Sequence, residues 1–125
     1  MPDTQFNAAL LYPQEYRRAN EAGFDCLAAN APAQPHDAAE IARRLRAILE
    51  FDARPLLPAI AAPTLVVVAQ DDQLMPVWFA AEAADAITDS ELAELDGGGH
   101  MLLETRSAEI AKMALRFMAR RANTS

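Results

Sequence analysis

The sequence predicts an α/β fold: a helical segment over residues 1–51, then a two-stranded parallel β-α-β-α unit over residues 52–125. Three observations carry the prediction. Up to about Asp52, apolar residues recur at helical spacing and no strand-like run interrupts them. "TLVVVA", Thr64 to Ala69, is a continuous β-branched and apolar run, which suits a parallel strand covered by helices on both faces. "ELAELDGGGHMLLE" then reads as a second strand entering three glycines and a histidine, and an amphipathic helix follows.

Each element has its own local signal. Thr4 suits the cap of a short helix reaching Leu11, and Pro13 suits the first turn of a second, "PQEYRRANEAG", closed by Gly23. "FDCLAANAPAQPH" carries two prolines and reads as loop. Asp37 caps "AAEIARRLRAILE", whose Ile41, Leu45, Ile48 and Leu49 share one face. Asp52 caps a short turn in "FDARPLLPAI". After Thr64–Ala69 come a polar loop, "QDDQLMP", a helix from about Pro76 to Ile87, and the strand "ELAEL". The last helix, "SAEIAKMALRFMARR", groups Ile110, Met113, Ala114, Phe117 and Met118 on one face, with Arg116, Arg120 and Arg121 toward its negative pole. The strand–helix–strand order implies a right-handed crossover.

Composition bounds the function. At 125 residues the chain suits one domain rather than two. Eighteen acidic residues against eleven basic ones give a charge of −7, which argues against a nucleic-acid partner, since a phosphate binder presents a basic face. Cys26 is the sole cysteine, so an internal disulfide and a cysteine-based zinc site are excluded. With no glycine turn around it, Cys26 reads as a buried or half-buried structural thiol. The N-terminus shows no basic segment followed by an apolar run, and no apolar run approaches the ~20 residues of a membrane span. The expected address is the cytoplasm, with no membrane partner.

In a parallel pair, the loops after Ala69 and after Leu95 leave the same edge of the sheet. Neighbouring strands lie ~4.8 Å apart, so Asp71 and Asp72 of the first loop can meet His100 of the second. A carboxylate beside an imidazole fixes the ring's tautomer through Nδ1–H and stabilises the imidazolium, leaving Nε2 to take a proton from a nucleophile. Three of the four glycines stand directly before His100. They let the backbone turn sharply off the strand end without side-chain bulk beside the reacting groups. A metal site from Asp71, Asp72 and His100 would want a second histidine, and His36 stands far away, where it is expected to be exposed; no metal is expected. The "GGGH" loop lacks the Gly-x-Gly-x-x-Gly or Lys-Ser/Thr of a phosphate cradle.

"PTLVVVAQDDQLMP", "ELAELDGGGHMLLE" and the closing helix together resemble the C-terminal part of the α/β-hydrolase family, over roughly Asp52 to Arg121. The resemblance implies a partial α/β-hydrolase fold, with residues 1–51 as helical cap segment and 52–125 as the C-terminal part of the core. It implies Asp72 as triad acid, with Pro76 four residues on, His100 as triad base, and Asp71 pointing away to solvent. The cap residues "LLYP" and "FD" are similar to those of the carbamate or aminoacrylate hydrolases of pyrimidine degradation and of β-ketoadipate enol-lactone hydrolases. The implied reaction is cofactor-free hydrolysis of a small ester, lactone, amide or carbamate, with Leu11, Tyr12, Trp78 and Met101 as substrate-pocket candidates; for each of these, core packing is an equal reading.

One departure is plain. The family's nucleophile sits in a Gly-x-Ser-x-Gly turn ahead of the acid and base, and Ser90, Ser107 and Ser125, the three serines here, stand in no such turn. The expected partners are a small-molecule substrate and either a missing N-terminal half or a second copy, joined through strand 64–69. That strand has no charge or proline to guard a free edge. The alternative is a non-catalytic interaction protein.

Overall fold

Thr64–Ala69 (β1) and Ser90–Leu95 (β2) pair in parallel, with Thr64 opposite Ser90 and Ala69 opposite Leu95, in the computed structural model of the chain, which describes residues 2–30 and 37–123. Three consecutive valines give β1 the stiff, branched side chains that a pleated surface accommodates. Between the strands runs a helix, α5 (Val77–Ala86), with Pro76 at its N-cap. Half of α5 is alanine, which lets it approach the sheet closely, and Ala84 and the following Ile87 are buried. A short helix, α6 (Leu102–Thr105), and a long one, α7 (Ser107–Ala122), follow the glycines. Their Leu102, Ile110 and Met113 close over Val67, Ala69 and Leu95, which makes the centre of the core. Phe117 is buried, whereas Met118, expected on the same face, is exposed. Arg120 and Arg121 are ion-paired to Glu91, and Arg121 also to Asp89 at 2.7 Å, so the end of α7 is tied to the start of β2.

The helical segment differs from its sequence reading in three places. Helix α1 (Pro2–Leu11) begins upstream of Thr4, which therefore lies inside it rather than at its cap. Helix α2 (Gln14–Ala19) stops at Asn20, not at Gly23. Asn20 leaves the helical region (φ −120°, ψ 23°) and its side-chain amide donates to the Tyr16 carbonyl at 2.9 Å. A further helix, α3 (Glu21–Asn30), then runs through Gly23 and through "FDCLAAN", where a loop was expected. The two prolines that suggested the loop, Pro32 and Pro35, start only after Asn30, and the residues before them are mostly good helix formers. Cys26 is exposed on α3, not buried. Helix α4 (Ala38–Glu50) has the expected Asp37 cap, whose carboxylate accepts from Ala39 N–H at 2.9 Å. Its apolar residues Ile41, Leu45, Ile48 and Leu49 are all exposed, Leu49 at 84%. The turn expected after Asp52 is a 3-10 helix, Arg54–Ala59. Asp52 accepts its Arg54 N–H at 3.0 Å, and the Arg54 guanidinium holds the Asp52 carboxyl down at about 2. The exposure expected of His36 lies outside the described residues.

One carboxylate joins the helical segment to the core. Glu104 of α6 accepts from Tyr12 at 2.8 Å and from Tyr16 at 3.2 Å. The two rings stack at 5.4 Å, and Phe24 of α3 meets Tyr12 edge-on at 5.0 Å. Beside them the Met101 amide donates to the Leu11 carbonyl at 3.0 Å. Loss of solvent first, and the Glu104 carboxylate second, push the Tyr12 hydroxyl from 10.0 up to about 12. Folding thus favours the neutral phenol. Its contribution is full below 10.0 and is lost as pH rises through about 12. Tyr12→Phe is expected to be less stable than the parent at neutral pH, with the gap closing across that alkaline range. Urea unfolding curves at several pH values check this; a gap independent of pH would contradict it.

Candidate active site

The register brings two loops to one edge. Because Ala69 faces Leu95, the chains leaving β1 and β2 emerge side by side, and the Gln70 amide still bonds the Leu95 carbonyl at 2.9 Å. On the first loop, Asp72 Oδ1 accepts the amides of Leu74 and Met75, both at 2.9 Å. Those bonds wrap the Asp-x-x-x-Pro turn around the carboxylate and leave Oδ2 facing the second loop. There His100 Nδ1–H donates to Asp72 Oδ2 at 3.1 Å. The Asp72 side chain is 9% exposed and that of His100 35%, so the acid is enclosed and the ring is partly open. Since a carboxylate only accepts, this contact assigns the proton to Nδ1 and leaves Nε2 as the basic atom.

The glycines explain how the ring gets there. Gly98 has φ +136° and Gly99 φ +66°, a range in which a residue with a side chain would be strained. A Cβ on Gly98 would lie 2.4 Å from Leu102 Cδ1, and one on Gly99 would lie 2.8 Å from Pro13 Cδ and 2.9 Å from the Leu11 carbonyl oxygen. The turn is thus wedged between the core and the start of the helical segment. Two of its carbonyls are held by side chains: Arg106 donates to the Gly97 carbonyl at 3.0 Å, and Thr105 donates to the Gly98 carbonyl at 2.6 Å. Asp71 completes the set. Its Oδ1 accepts the Gly99 N–H at 2.8 Å, so the expectation that Asp71 points away to solvent is corrected. The residue is exposed as a whole, but its carboxylate turns in to the glycine loop, where an unpaired amide beside a tight turn offers a charge-assisted bond.

Asp72 and His100 line a cleft of about 360 Å³, with Val68 of β1 and Met75 and Phe79 of the α5 side among its walls. Leu11, Tyr12, Trp78 and Met101, the pocket candidates, are not among its lining residues. Tyr12 is committed to Glu104, the Leu11 carbonyl is taken by Met101, and Trp78 is 58% exposed beside Phe79. Met75 and Phe79 were missed because only the fold of the Asp72 turn points them at the cleft. Thr105 and Arg106 were missed for the same kind of reason, whereas Asp71 had a signal: it stands 28 residues before Gly99, the same offset that separates Asp72 from His100. Ser90 lies at the opposite end of β2, roughly 17 Å from the strand end that leads to His100, and donates to the Ala84 carbonyl at 2.5 Å. Among the described residues no group of His, Cys, Asp and Glu side chains gathers to hold a metal ion, and no helix is long and apolar enough to cross a membrane.

Parallel strands whose carboxyl-terminal loops join a carboxylate to an imidazole, beside a helical segment, have the architecture of an α/β-hydrolase core. The sequence model described as "Serine hydrolase" matches residues 22–115, and the chain belongs to that family. It is 34% identical over 96 residues to RutD of Stutzerimonas stutzeri strain A1501, a protein to which carbamate hydrolysis is ascribed, covering 77% of this chain and 36% of that one. To RutD of Serratia proteamaculans strain 568, described in the same terms, it is 28% identical over 113 residues, 90% of this chain and 42% of the relative. In structure it is similar to the enol-lactonase of Burkholderia xenovorans LB400, with a TM-score of 0.75 and 22% identity, covering 93% of this chain and 44% of that one. The chain thus spans less than half the length of these relatives.

The turn makes a sharp contrast testable. Gly99→Ala meets both positive φ and backbone at 2.9 Å, and is expected to cost about 1–3 kcal/mol of stability. Gly97→Ala has neither problem, since its Cβ would meet only Asp71 atoms at 3.5 Å or more, and is expected to change stability by under about 1 kcal/mol. Denaturant unfolding of both variants checks the order; equal losses would show that the φ of Gly99 is not what the turn depends on.

Proposed function

We propose that this chain carries the acid and base of a serine-hydrolase site, and that the site hydrolyses a small ester, lactone, amide or carbamate. The observation that carries the reading is the 3.1 Å contact from His100 Nδ1 to Asp72 Oδ2 at the carboxyl edge of parallel strands. In this reading His100 Nε2 takes the proton of a serine hydroxyl as its oxygen attacks the substrate's carbonyl carbon. His100 then gives that proton to the leaving group as the bond to the carbonyl carbon breaks. Asp72 holds the ring in the right tautomer and stabilises the imidazolium between the two transfers. Water, deprotonated by the same nitrogen, then attacks the acyl carbon, and the proton passes from His100 to the serine oxygen as its bond to that carbon breaks. Nothing in this sequence of steps calls for a cofactor. The likeness to RutD and to an enol-lactonase supports acyl-type substrates.

The nucleophile in this reading comes from a Gly-x-Ser-x-Gly segment outside the 125 residues, since none occurs within them. The chain alone is expected to show no p-nitrophenyl acetate turnover above background. Co-expressed with the N-terminal portion of a family hydrolase bearing that segment, it is expected to gain turnover, and His100→Ala to lower the gain by roughly 10²- to 10⁴-fold. Turnover by the chain alone that disappears in His100→Ala would place the nucleophile within it and overturn the proposal.

A second reading, of a chain that works by pairing, is favoured by β1. Among the described residues β1 pairs with no strand but β2, which leaves its other edge without a strand. In this reading Thr64–Ala69 receives a strand from the complementing portion or from a second copy, and the apolar face of α4 is covered in the same assembly. Light scattering is expected to show a species larger than one chain. A compact monomer with slow amide exchange all along Val66 to Val68 would count against it.

A further inference from the structure

We propose that Asp71 is a positioning residue for His100: its carboxylate clamps the backbone of the glycine loop and thereby sets the ring's approach to Asp72. The proposal rests on the acid–base reading of Asp72 and His100 above. Two consecutive aspartates divide the work. Asp72 is committed elsewhere, with Oδ1 on the amides of Leu74 and Met75 in its own loop and Oδ2 on the His100 ring, so its bonds hold the ring and not the main chain that carries the ring. Asp71 takes that role. Its Oδ1 accepts the Gly99 N–H at 2.8 Å, and its Oδ2 lies 3.5 Å from where a Gly97 Cβ would stand, so the carboxylate lies against the turn between Gly97 and Gly99.

The backbone at this point needs such a restraint. Consecutive glycines have the widest choice of conformations, and each must be held at one φ for the next residue to emerge in a fixed direction. Thr105 and Arg106 hold the carbonyls of Gly98 and Gly97, and Asp71 holds the amide directly before His100. Without Asp71, rotation at Gly99 would swing the His100 Cα, and a small swing there is enough to break a side-chain hydrogen bond already 3.1 Å long. What Asp71 supplies is an acceptor at a fixed place, so an asparagine oxygen can substitute for it.

Nuclear magnetic resonance of the isotopically labelled full chain tests this through the amide exchange of Gly99 and the Nδ1–H signal of His100. In Asp71→Ala, Gly99 exchange is expected to quicken about tenfold or more, and the His100 signal to broaden or shift as the ring leaves Asp72. Asp71→Asn is expected to retain both signatures, and the amides that pair β1 with β2 are expected to stay protected in both variants. Unchanged readings in Asp71→Ala would overturn the proposal. So would an Asp71→Asn variant as disturbed as Asp71→Ala, since charge and not the acceptor would then matter. Loss of the strand amides in Asp71→Ala would make Asp71 a general structural residue and overturn it too. None of these readings uses catalysis, so failure of the hydrolytic reading shows separately, as turnover of the complemented chain that is indifferent to His100→Ala.

Discussion

The parallel register that sets Ala69 opposite Leu95 is the constraint on which the rest of this structure depends. It fixes where two loops leave the sheet, and the Asp72–His100 contact forms between those loops. A shift of one residue would turn every side chain of one strand to the other face of the sheet. Ala69 and Leu95 would leave the core they form with Leu102, and Asp72 would no longer meet His100. Core packing and site geometry are therefore one requirement. The buried residues at the strand ends, Ala69 at 1% and Leu95 at 7% exposure, stand at the start of the loops that carry Asp72 and His100.

The strands, α5 and α7 were legible in the sequence because each depends on a local pattern, and the Asp72–His100 contact because two such patterns end at the same edge of a parallel pair. A β-branched run, an Asp-x-x-x-Pro turn and a glycine cluster before a histidine constrain the backbone within a few residues. The misreadings share the opposite character. Helix α3 extends through "FDCLAAN" because prolines act on the residues just before them, so Pro32 does not reach back to Phe24. The exposure of Cys26 follows from which face of α3 meets Tyr12 and Tyr16, and that is a tertiary matter. Asp71 reads as a solvated turn residue because its partner is a main-chain amide, which no side-chain pattern marks; the offset of 28 residues that it shares with the Asp72–His100 pair is its one trace in the sequence. The Glu104 clamp on two tyrosines is equally invisible before the helical segment is seated.

The same division between local and distant causes governs how far the site is built. The glycine turn, the Asp72 loop and the ring contact are held by bonds within the described residues, so the relative placement of Asp72 and His100 is set within them. Their electrostatic strength is not. At about 4 Å, unit charges attract by about 1 kcal/mol in bulk water and by about 4 kcal/mol at the effective dielectric near a protein surface. The ring is 35% exposed, and the cleft beside it runs along a strand edge that no other strand covers among the described residues. A strand laid on that edge would exclude water from the cleft as it paired the β1 backbone, strengthening the Asp72 interaction with a protonated His100 at the moment a nucleophile arrived. In such an arrangement, pairing of β1 and closure of the cleft would be the same event, because Val67, Val68 and Ala69 of β1 line the cleft that Asp72 and His100 also line.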